Sequence, residues 1–182
     1  MSWYTGKGDN GDSKWFDGKD RTPKDDARFE ALGTLDELCS VLGSLRAELN
    51  AANESPETTR LSSAVLAIQN DCFTLQAEVA GADKRLPQER LVFLESLIAD
   101  IDKELPPPTA FIVPGEDVLS ARCDVARTVA RRAERRMVTF SKTTPLSHGS
   151  LAYINRLSSV LYVFARYLIH LKGITEKNPR YF

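Results

Sequence analysis

Residues 35–49, LDELCSVLGSLRAEL, carry leucine at positions 35, 38, 42, 45 and 49, so the apolar side chains recur at intervals of 3, 4, 3 and 4. That spacing stacks them into one stripe on a helix, because residues three and four apart share a face. It predicts a first helix over residues 24–49. After a polar turn at 53–59 containing Pro56, the seam returns at Leu61, Val65, Ile68, Cys72, Leu75 and Val79, and Gly81 ends it. A third, shorter helix carries Leu91, Leu94, Ile98, Ile101 and Leu105 and is stopped by Pro106, Pro107 and Pro108, which cannot continue the hydrogen-bond ladder. A fourth is predicted over 116–141, and a fifth over 146–172 with Ile154, Leu157, Leu161, Phe164, Leu168 and Leu171 on its seam. Long helices with short connections predict an all-α fold, an antiparallel five-helix bundle with no strand. Val41, Leu66, Phe73, Val160 and Val163 lie beyond the seams and offer surface for self-association.

The chain has 182 residues, 42% of them apolar, and a net charge of −1. These values predict a single domain over 1–182, with a glycine-rich loop at 1–23, the bundle at 24–172 and a C-terminal tail at 173–182. A near-neutral chain has no electrostatic reason to seek nucleic acid. No run approaches the ~20 apolar residues of a membrane span, and residues 1–16 have neither a signal core nor a transit composition. The three cysteines, Cys39, Cys72 and Cys123, fall where apolar residues are expected, which predicts reduced thiols in the core and a reducing, cytoplasmic setting. With two histidines, His148 and His170, neither a histidine metal site nor a Ser-His or Cys-His nucleophile is encoded. Any chemistry here rests on positioning and electrostatics.

Residues 122–136, RCDVARTVARRAERR, pack six arginines and two acids into the fourth helix. Arg127, Arg131 and Glu134 or Arg135 form one polar stripe, and guanidinium forks suit polyphosphate or carboxylate. A solvated arginine face with local acid pairs is the alternative. Residues 5–13, TGKGDNGDS, have glycines that let amides curl around phosphate, with Lys7 and Ser13 as added donors, though the stretch does not match GxxxxGK[ST]. Lys24 opens the first helix beside Asp25 and Asp26. The acids suit a helix N-terminus as caps, whereas a cation there needs a compensating anion. Asn155, Ser158, Ser159 and Tyr162 make a polar strip on the fifth helix, either a site wall or a solvent face.

Taken in order, YTGKGDNGDS (4–13), KDDARFEALGTLDELCSVLG (24–43), QNDCFTLQAEVAG (69–81), FIVPG (111–115), ARTVARRAERR (126–136) and NRLSSVLYVFAR (155–166) resemble the PduO-type ATP:cob(I)alamin adenosyltransferases. The resemblance implies a ferritin-like homotrimer of five-helix bundles with active sites at subunit interfaces. It implies transfer of the 5′-deoxyadenosyl group of ATP to the cobalt of reduced cobalamin, with release of triphosphate. Cob(I)alamin is then the nucleophile, so no protein nucleophile is required. By motif position, Thr5, Gly6, Lys7, Gly8 and Ser13 match the nucleotide loop, Lys24 a phosphate cation, and Arg131, Glu134, Arg135 and Asn155 the ATP contacts. Arg131, Asn155 and Phe111 match the residues acting on the reaction itself, Phe111 by displacing cobalamin's lower ligand. Asp36 and Arg127 match an intersubunit salt bridge. Magnesium rides on the ATP phosphates rather than in a protein cage. A cobalamin reductase or a cobalamin-dependent enzyme is the further partner implied. Two positions depart from the family pattern: Ser159 stands where Asp is common, and Asp12 where Thr, Gln or Glu is usual. A non-catalytic corrinoid or nucleotide carrier of the same fold is the alternative function. A structural bundle whose arginines only cement a trimer is a third.

Overall fold

The computed structural model describes residues 3–15, 21–52, 55–108 and 110–182. Its elements are β1 (Asp12–Lys14), β2 (Arg21–Pro23), α1 (Ala27–Ala51), α2 (Pro56–Val79), α3 (Gln88–Asp102), α4 (Val118–Ser141) and α5 (His148–Leu171). The leucine seam decides how α1 lies, since Leu35, Leu38, Leu42 and Leu45 are fully buried. α4 packs between α1 and α5, α2 lies on α1 and α3 on α5, so the arginine-rich helix is central to the bundle. Val160 is also fully buried, which removes it from the predicted self-association surface; Val41 and Val163 are partly buried against the core. Leu66 and Phe73 do face outward, Phe73 at 62% exposure.

Local chemistry sets the helix ends. Asp26 caps α1 by accepting from the Arg28 amide at 2.8 Å, so the helix starts later than its seam suggests and leaves Lys24 outside it. α2 starts earlier than expected, at Pro56. Proline needs no amide partner in a first turn, and the Ser55 hydroxyl accepts from the Thr58 amide at 3.1 Å. The expected polar turn over 53–59 is therefore already helical from 56.

Two strands form where the sequence predicts none. β1 and β2 pair antiparallel, with Asp12 opposite Pro23, Ser13 opposite Thr22 and Lys14 opposite Arg21. Three-residue strands are too short to show an alternating period, and side chains hold this pair together. Arg21 donates to the Asp12 carboxylate, and Trp15 Nε1 donates to Thr22 Oγ1 at 2.7 Å.

Buried polar groups tie the helices together. Asp71 of α2 accepts a two-pronged contact from Arg90 of α3 and a bond from the Tyr153 hydroxyl of α5 at 2.7 Å. Burial and the neighbouring Asp71 carboxylate raise the Tyr153 phenol well above its ordinary pKa, so it remains a donor. Glu78 of α2 accepts from the Ser147 amide at 2.6 Å and from the Ser150 hydroxyl at the start of α5.

All three cysteines are free and buried. Burial pushes each thiol up from its ordinary pKa. A thiol titration of the native protein is therefore expected to find almost no reactive group, with all three appearing on denaturation. Stoichiometric labelling of the native chain would contradict that burial.

Candidate active site

The six arginines of α4 divide by partner. Arg122 pairs with Glu48 at 2.7 Å, Arg132 with Glu37 and Arg136 with Glu30 at 3.2 Å, which lace α4 to α1 along one side. These are half-exposed pairs, each worth about 0–1 kcal/mol, and their effect is mainly to set register. Arg127 takes Asp124 one turn earlier on its own helix, at 2.8 Å. Arg131 and Arg135 have no carboxylate partner among the described residues; Arg135 Nη1 instead donates to the Arg131 carbonyl at 3.1 Å. The acid between them, Glu134, accepts from Asn155 Nδ2 of α5 at 2.7 Å.

Each residue turns a helix by about 100°, so the Arg131–Arg135 pair is rotated by about 100° from the Arg132–Arg136 pair that meets α1. With Glu134, Val138 and Thr139 they line a shallow surface hollow. Two like charges one turn apart repel by a few tenths of a kcal/mol. An anion bridging the two forks removes that cost and satisfies their donors.

The glycine-rich loop is a second assembly. Gly6 takes φ 66°, a left-handed conformation that disfavours any side chain. The Gly11 amide donates to the Gly8 carbonyl at 3.2 Å and the Lys24 amide to the Gly11 carbonyl at 2.9 Å, curling the loop. Lys24 Nζ reaches the Gly8 carbonyl at 2.8 Å, and a Cβ at Gly8 would stand 3.1 Å from that Nζ. Lys7 and Thr5 meet through the Lys7 amide and Thr5 Oγ1 at 3.4 Å. Ser13 lies in β1 beside Asp12, whose carboxyl the Arg21 guanidinium holds below its ordinary pKa.

The structure thus brings Thr5, Gly6, Lys7, Gly8, Ser13 and Lys24 together, and separately Arg131, Glu134, Arg135 and Asn155. Among the described residues no hydrogen bond or ion pair joins the two groups. The hairpin docks beside the start of α1, whereas Arg131, Glu134 and Asn155 lie toward α5. Asp36 is exposed and without an ion pair among the described residues, so within one chain it does not meet Arg127.

Beside Arg127 opens a cavity of about 380 Å³ lined by Phe111, Pro114, Asp124, Tyr162 and Glu176 among others. Phe111 stands at 80% exposure. The C-terminal tail holds its loop in place. The Val113 amide donates to the Lys177 carbonyl at 2.8 Å, Asn178 Nδ2 donates to the Phe111 carbonyl at 2.9 Å, and Lys177 pairs with Glu116 at 3.0 Å. Behind them the buried Arg166 pairs with Glu176 at 2.9 Å. Sequence reasoning missed Arg166, Glu176 and Asn178. The one available signal was an arginine closing the apolar run LYVFAR, since the tail has no period to read. Of the expected strip on α5, Asn155 and Ser159 are exposed, Tyr162 half-buried and Ser158 buried.

Asp117 caps α4, accepting from the Leu119 amide at 3.0 Å, and pairs with Lys172 at the end of α5. Burial pushes its carboxyl up, but the Lys172 ammonium and the Ser120 and Leu119 amides together bring it below the ordinary value. A depressed folded pKa contributes stability that is present above the unfolded value, about 3.9, and is lost as pH falls through the folded one. The gap in Tm between the native chain and Asp117→Asn is therefore expected to be full near pH 6 and to shrink below about pH 4. A gap unchanged at pH 3 would contradict this role.

The chain matches the cobalamin adenosyltransferase family model over residues 3–168. It is 36% identical to the corrinoid adenosyltransferase of Bacillus subtilis over 180 residues, covering 97% of this chain and 91% of that protein. It is 38% identical to a corrinoid adenosyltransferase of Citrobacter freundii over 170 residues, covering 90% of this chain and 92% of the relative. Among solved structures it is similar to a variant PduO-type ATP:corrinoid adenosyltransferase from Lactobacillus reuteri, complexed with cobalamin and ATP. The TM-score is 0.88 at 28% identity, covering 99% of this chain and 100% of that one. By family model, sequence and fold alike, this five-helix chain belongs to the cobalamin adenosyltransferase family.

Proposed function

We propose that this protein transfers the 5′-deoxyadenosyl group of ATP to the cobalt of cob(I)alamin. The observation that carries the reading is the pair of arginines without a carboxylate partner among the described residues, Arg131 and Arg135, beside the Glu134–Asn155 bond in a chain of this family. The electron pair of reduced cobalt attacks C5′, the C5′–O5′ bond breaks, and the pair from that bond leaves on triphosphate. No proton moves, so the protein needs no general base. Its task is to hold C5′ in line with the cobalt and to stabilise charge growing on the leaving oxygen. Arg131 and Arg135 suit the triphosphate, Lys24 and the amides of the 5–13 loop its other phosphates, and Asn155 and Glu134 orient the nucleoside. Magnesium would travel on the phosphates with most of its own waters. Phe111, on the rim of the cavity, fills the position that cobalamin's lower ligand leaves.

The loop docks at the start of α1 and, among the described residues, no hydrogen bond or ion pair joins it to Arg131, Glu134, Arg135 or Asn155, which supports a site completed by a second copy of the chain. In that assembly, a homotrimer, Asp36 meets Arg127 of a neighbour. A reductase or a cobalamin-dependent enzyme is the further partner, and three free thiols support a reducing, cytoplasmic setting. Among the described residues no helix is long and apolar enough to cross a membrane.

The test is anaerobic mixing of the protein with ATP, magnesium and chemically reduced cobalamin. An alkylated-corrinoid spectrum and one triphosphate per corrinoid are expected. Binding of both substrates without turnover would favour the carrier reading instead. Asn178→Ala, which frees the Phe111 carbonyl, is expected to raise the corrinoid KM several-fold and leave the ATP KM unchanged, since one hydrogen bond is worth about 1 kcal/mol. Equal effects on both constants would contradict a local role for the tail.

A further inference from the structure

The nucleotide loop cannot hold its own shape, because a pair of three-residue strands is not stable alone. An anchor is visible at its base. Trp15, directly after β1, stacks on Phe29 of α1 with ring centroids 4.1 Å apart and planes at 14°. The Arg28 guanidinium also sits over Trp15, 4.3 Å from its centroid, and 5.3 Å from that of Phe140. Both distances fall within cation–π range. Phe140 is buried near the C-terminal end of α4, where the helix dipole also favours a cation. The Arg28 side chain makes no ion pair among the described residues, so these aromatic faces are its partners.

We propose that Arg28 is a positioning residue for the nucleotide. Held between Trp15 and Phe140, it docks the hairpin onto the end of α4 and fixes the loop before ATP arrives. The path is continuous: Trp15 bonds to Thr22 of β2, β2 leads into Lys24, and Lys24 grips the Gly8 and Gly11 carbonyls. The inference rests on the reading of residues 5–13 as the nucleotide loop. Its consequence is specific to ATP, because neither Arg28 nor Trp15 lines the cavity beside Phe111.

The experiment compares the full-length native chain with Arg28→Ala, Arg28→Lys and Lys24→Ala. It measures amide exchange over residues 5–15 without nucleotide, together with kcat and the KM for each substrate. For Arg28→Ala, faster exchange and an ATP KM about five-fold or more higher are expected, the size of one lost cation–π contact. The kcat at saturating ATP and the corrinoid KM should stay within about two-fold, and Arg28→Lys should recover part of the loss, since an ammonium also sits over an aromatic face. Unchanged exchange, an unchanged ATP KM, or a parallel loss in kcat and both KM values would each overturn the proposal. If Lys24→Ala leaves the ATP KM unaltered, the loop is not the nucleotide site, and the proposal falls with that reading whatever Arg28 does.

Discussion

Arg131→Ala is expected to lower turnover by about 10²–10³-fold, the cost of removing one donor aimed at charge that develops in a transition state. The fold should be untouched. Arg131 is exposed, makes no ion pair among the described residues and lends the structure only its backbone carbonyl, which the substitution keeps. Tm should therefore move by no more than about 2 °C, as for surface changes in a chain of this size. The neighbouring residue makes the contrast. Arg132 pairs with Glu37 of α1, so Arg132→Ala should cost up to about 1 kcal/mol of stability and little activity. Arg131→Lys should fall between native and alanine, because it keeps the charge and loses the planar fork. Equal activity losses at 131 and 132 would mean that the partition of α4 by partner has no functional content.

Asp71→Ala carries the largest expected effect on stability. Asp71 is 6% exposed and its carboxylate is the common acceptor of Arg90 and Tyr153, so one substitution strips partners from α3 and α5 together. Breaking a buried pair by removing one member costs 3–5 kcal/mol in well-enclosed cases. Arg90 keeps a side-chain exposure of 27% and can reach water, which places the expectation at the lower end, about 3 kcal/mol. In a chain of this length that lowers Tm by about 6–12 °C. Calorimetry decides it: a change below about 2 °C would show that the network is ornamental to the bundle.

The five helices were legible in the sequence because burying one stripe imposes a period, and Leu35, Leu38, Leu42 and Leu45 carry it without interruption. The hairpin was not legible, since three residues per strand leave no alternation to read and the pairing depends on Arg21 and Trp15 as side chains. Helix starts shifted at Asp26 and Ser55 because capping, rather than the apolar seam, decides where a helix begins. From its own residues the arginine cluster was legible only as charge; the assignment of Arg131 and Arg135 to ATP came from the family resemblance. Adjacent positions such as 131 and 132 differ only in which way they face, and that is set by the packing of α1 against α4. The tail was illegible for a related reason: Glu176, Lys177 and Asn178 act through single contacts to Arg166 and the Phe111 loop, and nothing periodic marks them.

The loop sits beside the start of α1 and the Glu134–Asn155 bond faces α5, with no hydrogen bond or ion pair between the two groups among the described residues, so the most direct test is complementation between two damaged chains. Lys24→Ala spoils the loop and leaves Arg131 intact; Arg131→Ala does the reverse. Each alone should be nearly inactive. Co-assembled in equal amounts, they are expected to recover about one quarter of native activity, the share of junctions that join an intact loop to an intact arginine in a closed ring. A mixture no more active than its components would show that each site is built within one chain, and would contradict the account.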